Sequence, residues 1–421
     1  MFTQRDPGSA PAVAPSRLLT GIGASDLADS REAGRAAASA AAGHLGGASP
    51  SLVLVYSSVR YCLADLLDGV RAVTGSAPLA GATSSGHFHD GRHARPGEGV
   101  VVLVLGPGPY RYGIGSATGL RADAFATGRE VARAARAAAR DGRAEEPSAD
   151  EHDADEQGPE RPAHAAFLLL SDGLADHQQT LLSGVHRVAG ASVPIAGGTA
   201  GDDQRREQTF VFHDGEVLTD AAVGVWIDSP HRLDVAIAHG WRPVSLPLLV
   251  TRVDGTVVHE IGGRPALDAF REHFPRGEVE AALRSAPDDG WPRSYAIGLL
   301  EPDGTHLVRG AYIDEEGRVN TFAPLPPYAA VQLMACQPDD LLGVAEGIAA
   351  DAVSGRAPGV LLVFSCVARM DILGERGPEE AARLHTAAAG VPTIGFFTYG
   401  EFARTTSVVG YHNATVAAIA L

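Results

Sequence analysis

Three short apolar runs punctuate the chain: LVLVYSS at 52–58, FLLLSDG at 167–173 and LLVFSCVAR at 361–369. A continuous run of that length, closed by polar residues, predicts a strand buried on both faces. Each run reaches a serine (Ser57, Ser171, Ser365), then a helical stretch, then Pro-x-x-Gly at 78–81, 194–197 and 392–395. The serine-to-proline spacings are 21, 23 and 27 residues. A polar glycine-containing loop follows each time, and then another apolar strand at 100–105, 221–227 and 414–421. The pattern predicts one unit, strand–helix–strand–loop–strand, used three times. A helical crossover joins parallel neighbours with a right-handed connection. The strand after the loop is close enough in sequence to run antiparallel. The expected fold class is therefore α/β in the mixed α+β sense: mixed sheets covered by helices, in two halves.

The remaining segments fill in this outline. Residues 21–25 end a short strand, and an Ala-rich helix is expected over 26–45, starting near Asp26. Residues 232–330 break the repeat with alternating segments joined at Asp254-Gly255, a hairpin signal. Within them, a short helix is expected over 266–273 and a strand pair at 294–300 and 307–312. Helix returns over 338–354, with Asp339 or Asp340 favourably placed in its first turn. A boundary near 235 divides the chain into 17–235 and 236–421. Residues 1–16, rich in Pro, Ala and Ser, read as a disordered tail. The acidic stretch 145–161 lacks large apolar residues, cannot offset its ordering entropy, and reads as a solvated insertion.

Composition narrows the function. The 421 residues are 45% hydrophobic and 20% charged, and the formal net charge is −17. Such a chain repels phosphate backbones and anionic membrane surfaces, so nucleic acid and membrane are not expected partners. Three cysteines (Cys62, Cys336, Cys366) without a CxxC pair fit a reducing compartment. No apolar stretch has secretory or membrane-spanning character. The expectation is a cytoplasmic protein.

Candidate chemistry clusters in the loops. The second loop, GGTAGDD at 197–203, brings Gly197, Gly198, Thr199, Gly201, Asp202 and Asp203 next to Ser171 and Asp172 at a strand end. Glycines allow close backbone approach, and the aspartates can accept hydrogen bonds from an amine. Gly197, Thr199 and Gly201 also match G-x-T-x-G, but a hydrolase elbow needs a strand-to-helix turn, and here a strand at 209–213 follows. The first loop, at 81–93, holds His87, His89 and His93, close enough to raise the question of a metal. Asp90-Gly91 between them argues for a turn. The third loop, GFFTYGE at 395–401, offers Phe396, Phe397, Tyr399 and Glu401, with His412 nearby: an apolar wall with a few polar groups, as ligand pockets have. FSCVAR places Ser365, Cys366 and Arg369 at the carboxyl end of a strand, where open α/β sheets bind ligands. Arg369 suits a ligand carboxylate. There is no P-loop, no dinucleotide fingerprint, no H-E-x-x-H and no EF-hand. With no visible base–nucleophile pair, the chain does not read as an enzyme. A hydrolase using Thr199, Ser171 or Cys366 is the alternative.

The segments PIAGGTAGDD, FSCVAR, GFFTYGE and YHNATVAAIAL resemble the signature segments of FIST proteins, which have an N-terminal and a C-terminal FIST domain. The resemblance covers nearly the whole chain. It implies a sensory role with a small ligand such as an amino acid. It also implies, as an alternative, a haem protein sensing nitric oxide through a partner histidine kinase. His412, His239, His177 and Cys366 are then the candidate axial ligands. No kinase or other output segment follows Leu421 in this sequence, so a separate signalling partner is expected. The histidine cluster and the acidic insertion depart from the family pattern.

Overall fold

A computed structural model describes residues 17–141, 164–283, 295–301, 304–404 and 410–421. The tail 1–16 and the acidic stretch 145–161 lie outside the described residues.

The three repeats are real, and each is longer than the apolar runs alone indicate. The first unit runs through strand Thr20–Ser25, helix Ser30–Gly43, strand Leu52–Ser57, helix Leu63–Thr74, strand Leu79–Thr83, a hairpin (His87–His89 with Arg92–Ala94) and strand Val100–Leu105. Its first helix begins at Ser30, four residues later than expected. Asp29, not Asp26, is the N-cap, its side chain accepting from the Glu32 amide at 2.9 Å. The second unit repeats the order from Arg111–Thr118 to Ala221–Ser229. The third opens with Val235–Ala238, is interrupted, and resumes at helix Pro338–Val353, where Pro338 and two acidic residues suit a first turn.

Each unit builds a mixed sheet around a central parallel pair: Leu52–Ser57 with Leu79–Thr83, His164–Ser171 with Ile195–Thr199, and Leu361–Cys366 with Thr393–Thr398. The last strand of the unit lies antiparallel beside the first of that pair, and the opening strand forms the edge. The polar loops of the sequence are in fact hairpins, and each leaves its own sheet. The first unit's hairpin pairs with Thr393–Thr398 of the third. The second's (Val211–His213, Glu216–Leu218) pairs with Leu79–Thr83 of the first. The third's (Glu401–Arg404, Tyr411–His412) pairs with Ile195–Thr199 of the second. The exchange closes the units into a ring with pseudo-threefold order. Asp90 and Gly91, with φ of 44° and 77°, make the tight turn that Asp-Gly favours. The Asp90 amide donates to the Thr393 carbonyl at 2.8 Å, and its carboxylate accepts from the Thr393 amide. Asp214 makes the same two bonds to Leu79.

The invariant glycine of Pro-x-x-Gly has a steric reason. A Cβ at Gly81, Gly197 or Gly395 would lie 2.2, 1.9 or 2.4 Å from the carbonyl oxygen of Val55, Leu169 or Val363 on the neighbouring central strand. The inner faces of all three sheets share one core, which includes Leu54, Leu168 and Leu362 and stacks Tyr56 on Phe396 at 4.3 Å. Separate cores lie under each unit's helices.

The interruption is a second body. Strands Leu248–Asp254, Val257–Ile261, Val319–Thr321, His306–Ile313, Tyr295–Leu300 and Ala330–Ala335 pair antiparallel in that order, and Ala330–Ala335 also pairs with Leu248–Asp254. The ladder therefore closes into a small barrel, with the expected Asp254-Gly255 hairpin and the helix Ala266–His273. It docks on the third unit through a cluster that includes Trp241, Met334, Leu341 and Cys366. The fold is mixed α+β as expected, but it resolves into three units and an inserted barrel. No described helix is long and apolar enough to cross a membrane.

Candidate functional site

The three loops meet. Gly201 donates to the Thr83 carbonyl at 2.9 Å, Ser85 to Phe397 at 3.1 Å, and Thr199 to Gly400 at 2.8 Å, so each loop bonds to another. They meet by filling the space: a Cβ at Gly201 would sit 2.5 Å from the Ser85 hydroxyl. Most residues singled out in the sequence are consumed here as structural ties. Asp202 accepts from the amides of Arg206, Glu207 and Gln208 and from the Tyr399 hydroxyl. Asp203 holds Ser58, Val59 and Gly97. Asp172 holds Thr209, Leu174 and Asp220 and pairs with Arg121 at 3.0 Å. Ser171 donates to Gln178 at 2.8 Å. Thr199 and Gly198 are buried at the end of a strand. Phe397 packs in the core against Phe88 and His93.

One reading changes. Arg369 does not await a ligand carboxylate. It is wholly buried, its Nε lies 2.8 Å from Glu380 Oε1, and its Nη2 donates to the Leu341 carbonyl, while Ser365 donates to the same glutamate. Helix Gly377–Ala387, the second after the strand, supplies Glu380, a partner no local motif announces. His87, His89 and His93 sit on the two strands of the first unit's hairpin, either side of the Asp90-Gly91 turn. Phe88 pairs with His93 across the hairpin, so His93 shares the Phe88 face while His87 and His89 occupy the other. Among the described residues no His/Cys/Asp/Glu group is arranged to hold a metal ion.

A cleft of about 780 Å³ opens where the barrel meets the ring. Its ring wall carries His239, His412, Thr415 and Val344; its barrel wall carries Glu301 and His306. Trp241 closes one end, its indole N–H tied to the Ala414 carbonyl at 3.0 Å. Asp340 and Arg242, joined in an ion pair, stand at the mouth with Asp339. Of the predicted site residues His412 and His239 line this cleft; His177 is exposed at the start of a helix elsewhere. The missed residues of the barrel wall come from a segment with no motif, and only its placement exposes them.

His239 and His412 are held neutral. Burial pushes His239 down to about 4, helped by the nearby charges of His306 and Arg369. Burial, then Arg309, pushes His412 down to about 3. His239 Nδ1 accepts from the Trp241 amide at 2.9 Å, which leaves its proton on Nε2. His412 Nε2 donates to the Ala403 carbonyl at 3.1 Å, and His306 Nε2 bonds to Gln332 Oε1 at 2.8 Å. Beneath Thr415 lies Glu401, wholly buried, accepting from the Thr415 hydroxyl at 2.7 Å and from Thr398. Burial carries it up to about 7 in spite of those bonds. Cys366 lies against it, and burial, then the Glu401 charge, pushes the thiol up, away from nucleophilic character.

His239 Nδ1, its unprotonated nitrogen, is already taken by the Trp241 amide, Nε2 of His306 and His412 is engaged by an acceptor, and the Cys366 thiol is buried.

Residues 51–264 match the FIST N domain and residues 266–404 the FIST C domain. The boundary between the two matches falls inside the barrel, where helix Ala266–His273 begins. An uncharacterized protein of Mycobacterium tuberculosis is 28% identical over 430 residues, covering 94% of this chain and 97% of that protein. An uncharacterized protein of Mycobacterium bovis is 28% identical over 407 residues, with 91% and 94% covered. An uncharacterized protein of Methanocaldococcus jannaschii is 31% identical over 105 residues, 25% of this chain and 20% of that protein.

Proposed function

The chain belongs to the FIST family, whose domains are associated with sensory signalling and small-ligand binding, and from that premise we propose that it binds a small amine-bearing metabolite, an amino acid or a close relative, in the cleft between barrel and ring. The observation that carries this reading is the cleft itself. It joins an apolar wall (Trp241, Leu307, Val344) to neutral imidazoles and to carboxylates at the mouth. That mixture suits a ligand with an apolar side chain and an ammonium group. The absence of an activated nucleophile among the described residues supports binding over hydrolysis. The free cysteines support a reducing, cytoplasmic setting. A separate protein, with a histidine kinase as the partner class, would carry the response onward. Thermal-shift measurement with the standard amino acids tests the reading. At least one should raise the melting temperature saturably, and a flat panel would refute it. Protein made with haem supplied should show no Soret band.

A further inference from the structure

The cleft under the barrel has a counterpart in the first unit. Ser25, Ala117 and Ala238 are equivalent, each opposite the residue (Val100, Ala222 or Val416) that pairs on its other side with Ser57, Ser171 or Ser365. The glycines 81, 86 and the phenylalanine 88 match 395, 400 and 402, so His87 stands where Glu401 stands and His89 where Ala403 stands. The first unit has its own cleft of about 520 Å³, lined by Ser25, Asp26, His89, Ala94 and Gly99. The barrel cleft has Ala238, His239, Ala403, His412 and Thr415 at those places. In the second unit the same place is shut. Ser116 bonds to His213 Nδ1 at 2.7 Å across it, and Arg121 reaches down to Asp172.

We propose that the first-unit cleft is a second ligand site, which takes a small oxyanion, a carboxylate or phosphate group. No barrel covers it, and its lining is predominantly polar. Among the described residues Arg60 hydrogen-bonds through Nη2 alone, to the Asp26 carbonyl at 2.7 Å and the Tyr61 hydroxyl at 2.6 Å, with its guanidinium 4.7 Å from the Tyr61 ring centre, which leaves Nε and Nη1 as donors. Arg92 has no ion pair among the described residues. His87 is 2% exposed, lines this cleft, and its Nδ1 has no hydrogen-bond partner among the described residues. A buried imidazole nitrogen without a partner is costly and calls for one. Asp26 and Glu98 on the rim balance the two guanidinium groups, and Glu98 is engaged by the Arg95 amide at 2.8 Å. Recognition therefore rests on paired N–H donors in fixed geometry and not on net charge.

This site is independent of the barrel cleft, and its test keeps the two apart. Isothermal titration of the full chain with inorganic phosphate and with succinate should give saturable binding for at least one, and comparing the two tells phosphate from carboxylate. Arg60→Ala with Arg92→Ala should weaken it at least tenfold, with the circular dichroism spectrum unchanged. Arg92→Ala alone, at an exposed strand position, guards against loss of folding in the double variant. Gly343→Phe, which fills the barrel cleft, should leave this binding intact. No saturable heat with either probe, binding retained in the arginine variants, or binding lost in Gly343→Phe would overturn the proposal.

Discussion

A guanidinium sealed from water beside one carboxylate is costly to disrupt, because removing either partner strands the other charge. Arg369→Ala should therefore destabilise the protein by about 3–5 kcal/mol, read from the urea midpoint, and any loss of ligand binding should follow from that unfolding. The buried histidines set the acid limit of stability. His87, His239 and His412 stay neutral when folded, with values of about 3, 4 and 3, whereas the unfolded chain protonates them near 6.5. Below pH 6.5 the unfolded state binds more protons, so stability falls with pH. Glu401 works the other way: folded it keeps its proton to about 7, against 4.5 unfolded, so acidification favours the fold between those values. Three groups outweigh one, and stability should drop by roughly 3–4 kcal/mol from pH 6.5 to pH 5. Glu401→Gln should steepen that drop by roughly 2 kcal/mol. Urea midpoints at the two pH values check both, and a flat profile would contradict the burial of these imidazoles.

The elements explain why so much of the ring could be read in advance and the site could not. The central strands announce themselves because both faces are buried and the apolar run is unbroken. The glycine of Pro-x-x-Gly repeats because the adjacent strand's carbonyl occupies the space of a Cβ. Gly197→Ala should cost about 3 kcal/mol or more, measured by chemical denaturation, while Gly343→Ala, with nothing within 4 Å of its Cβ, should be neutral or mildly stabilising. The first and third hairpins read as loops in the sequence because strands of two to four residues carry too few positions for an alternation to register. Their exchange between units is a long-range event with no local signal. Arg369 and Asp202 look like ligand groups in sequence, since a buried internal tie and a binding residue use the same chemistry. Glu380, His306 and Glu301 belong to segments without a motif. Only the G-x4-G-x-F match between 81–88 and 395–402 was available to link His87 with Glu401.

At the scale of the whole molecule, the exchanged hairpins make each sheet incomplete without a neighbouring unit. The ring should therefore unfold as one cooperative block: hydrogen exchange should give similar global opening energies for Leu54, Leu168 and Leu362, and widely different values would mean separable units. The barrel is joined to this block by two chain crossings on either side of the cleft, Gly240–Trp241 and Cys336–Gln337. Material between barrel and ring thus touches both bodies, which is the arrangement a sensor needs for occupancy to alter their relation. The most direct measurement is calorimetric titration of the wild-type chain and of Gly343→Phe with the amino acid that gives the largest thermal shift. The account predicts saturable binding to the wild type and a loss of at least tenfold in the equally stable variant. Equal affinity in both proteins would place the ligand elsewhere and contradict the account.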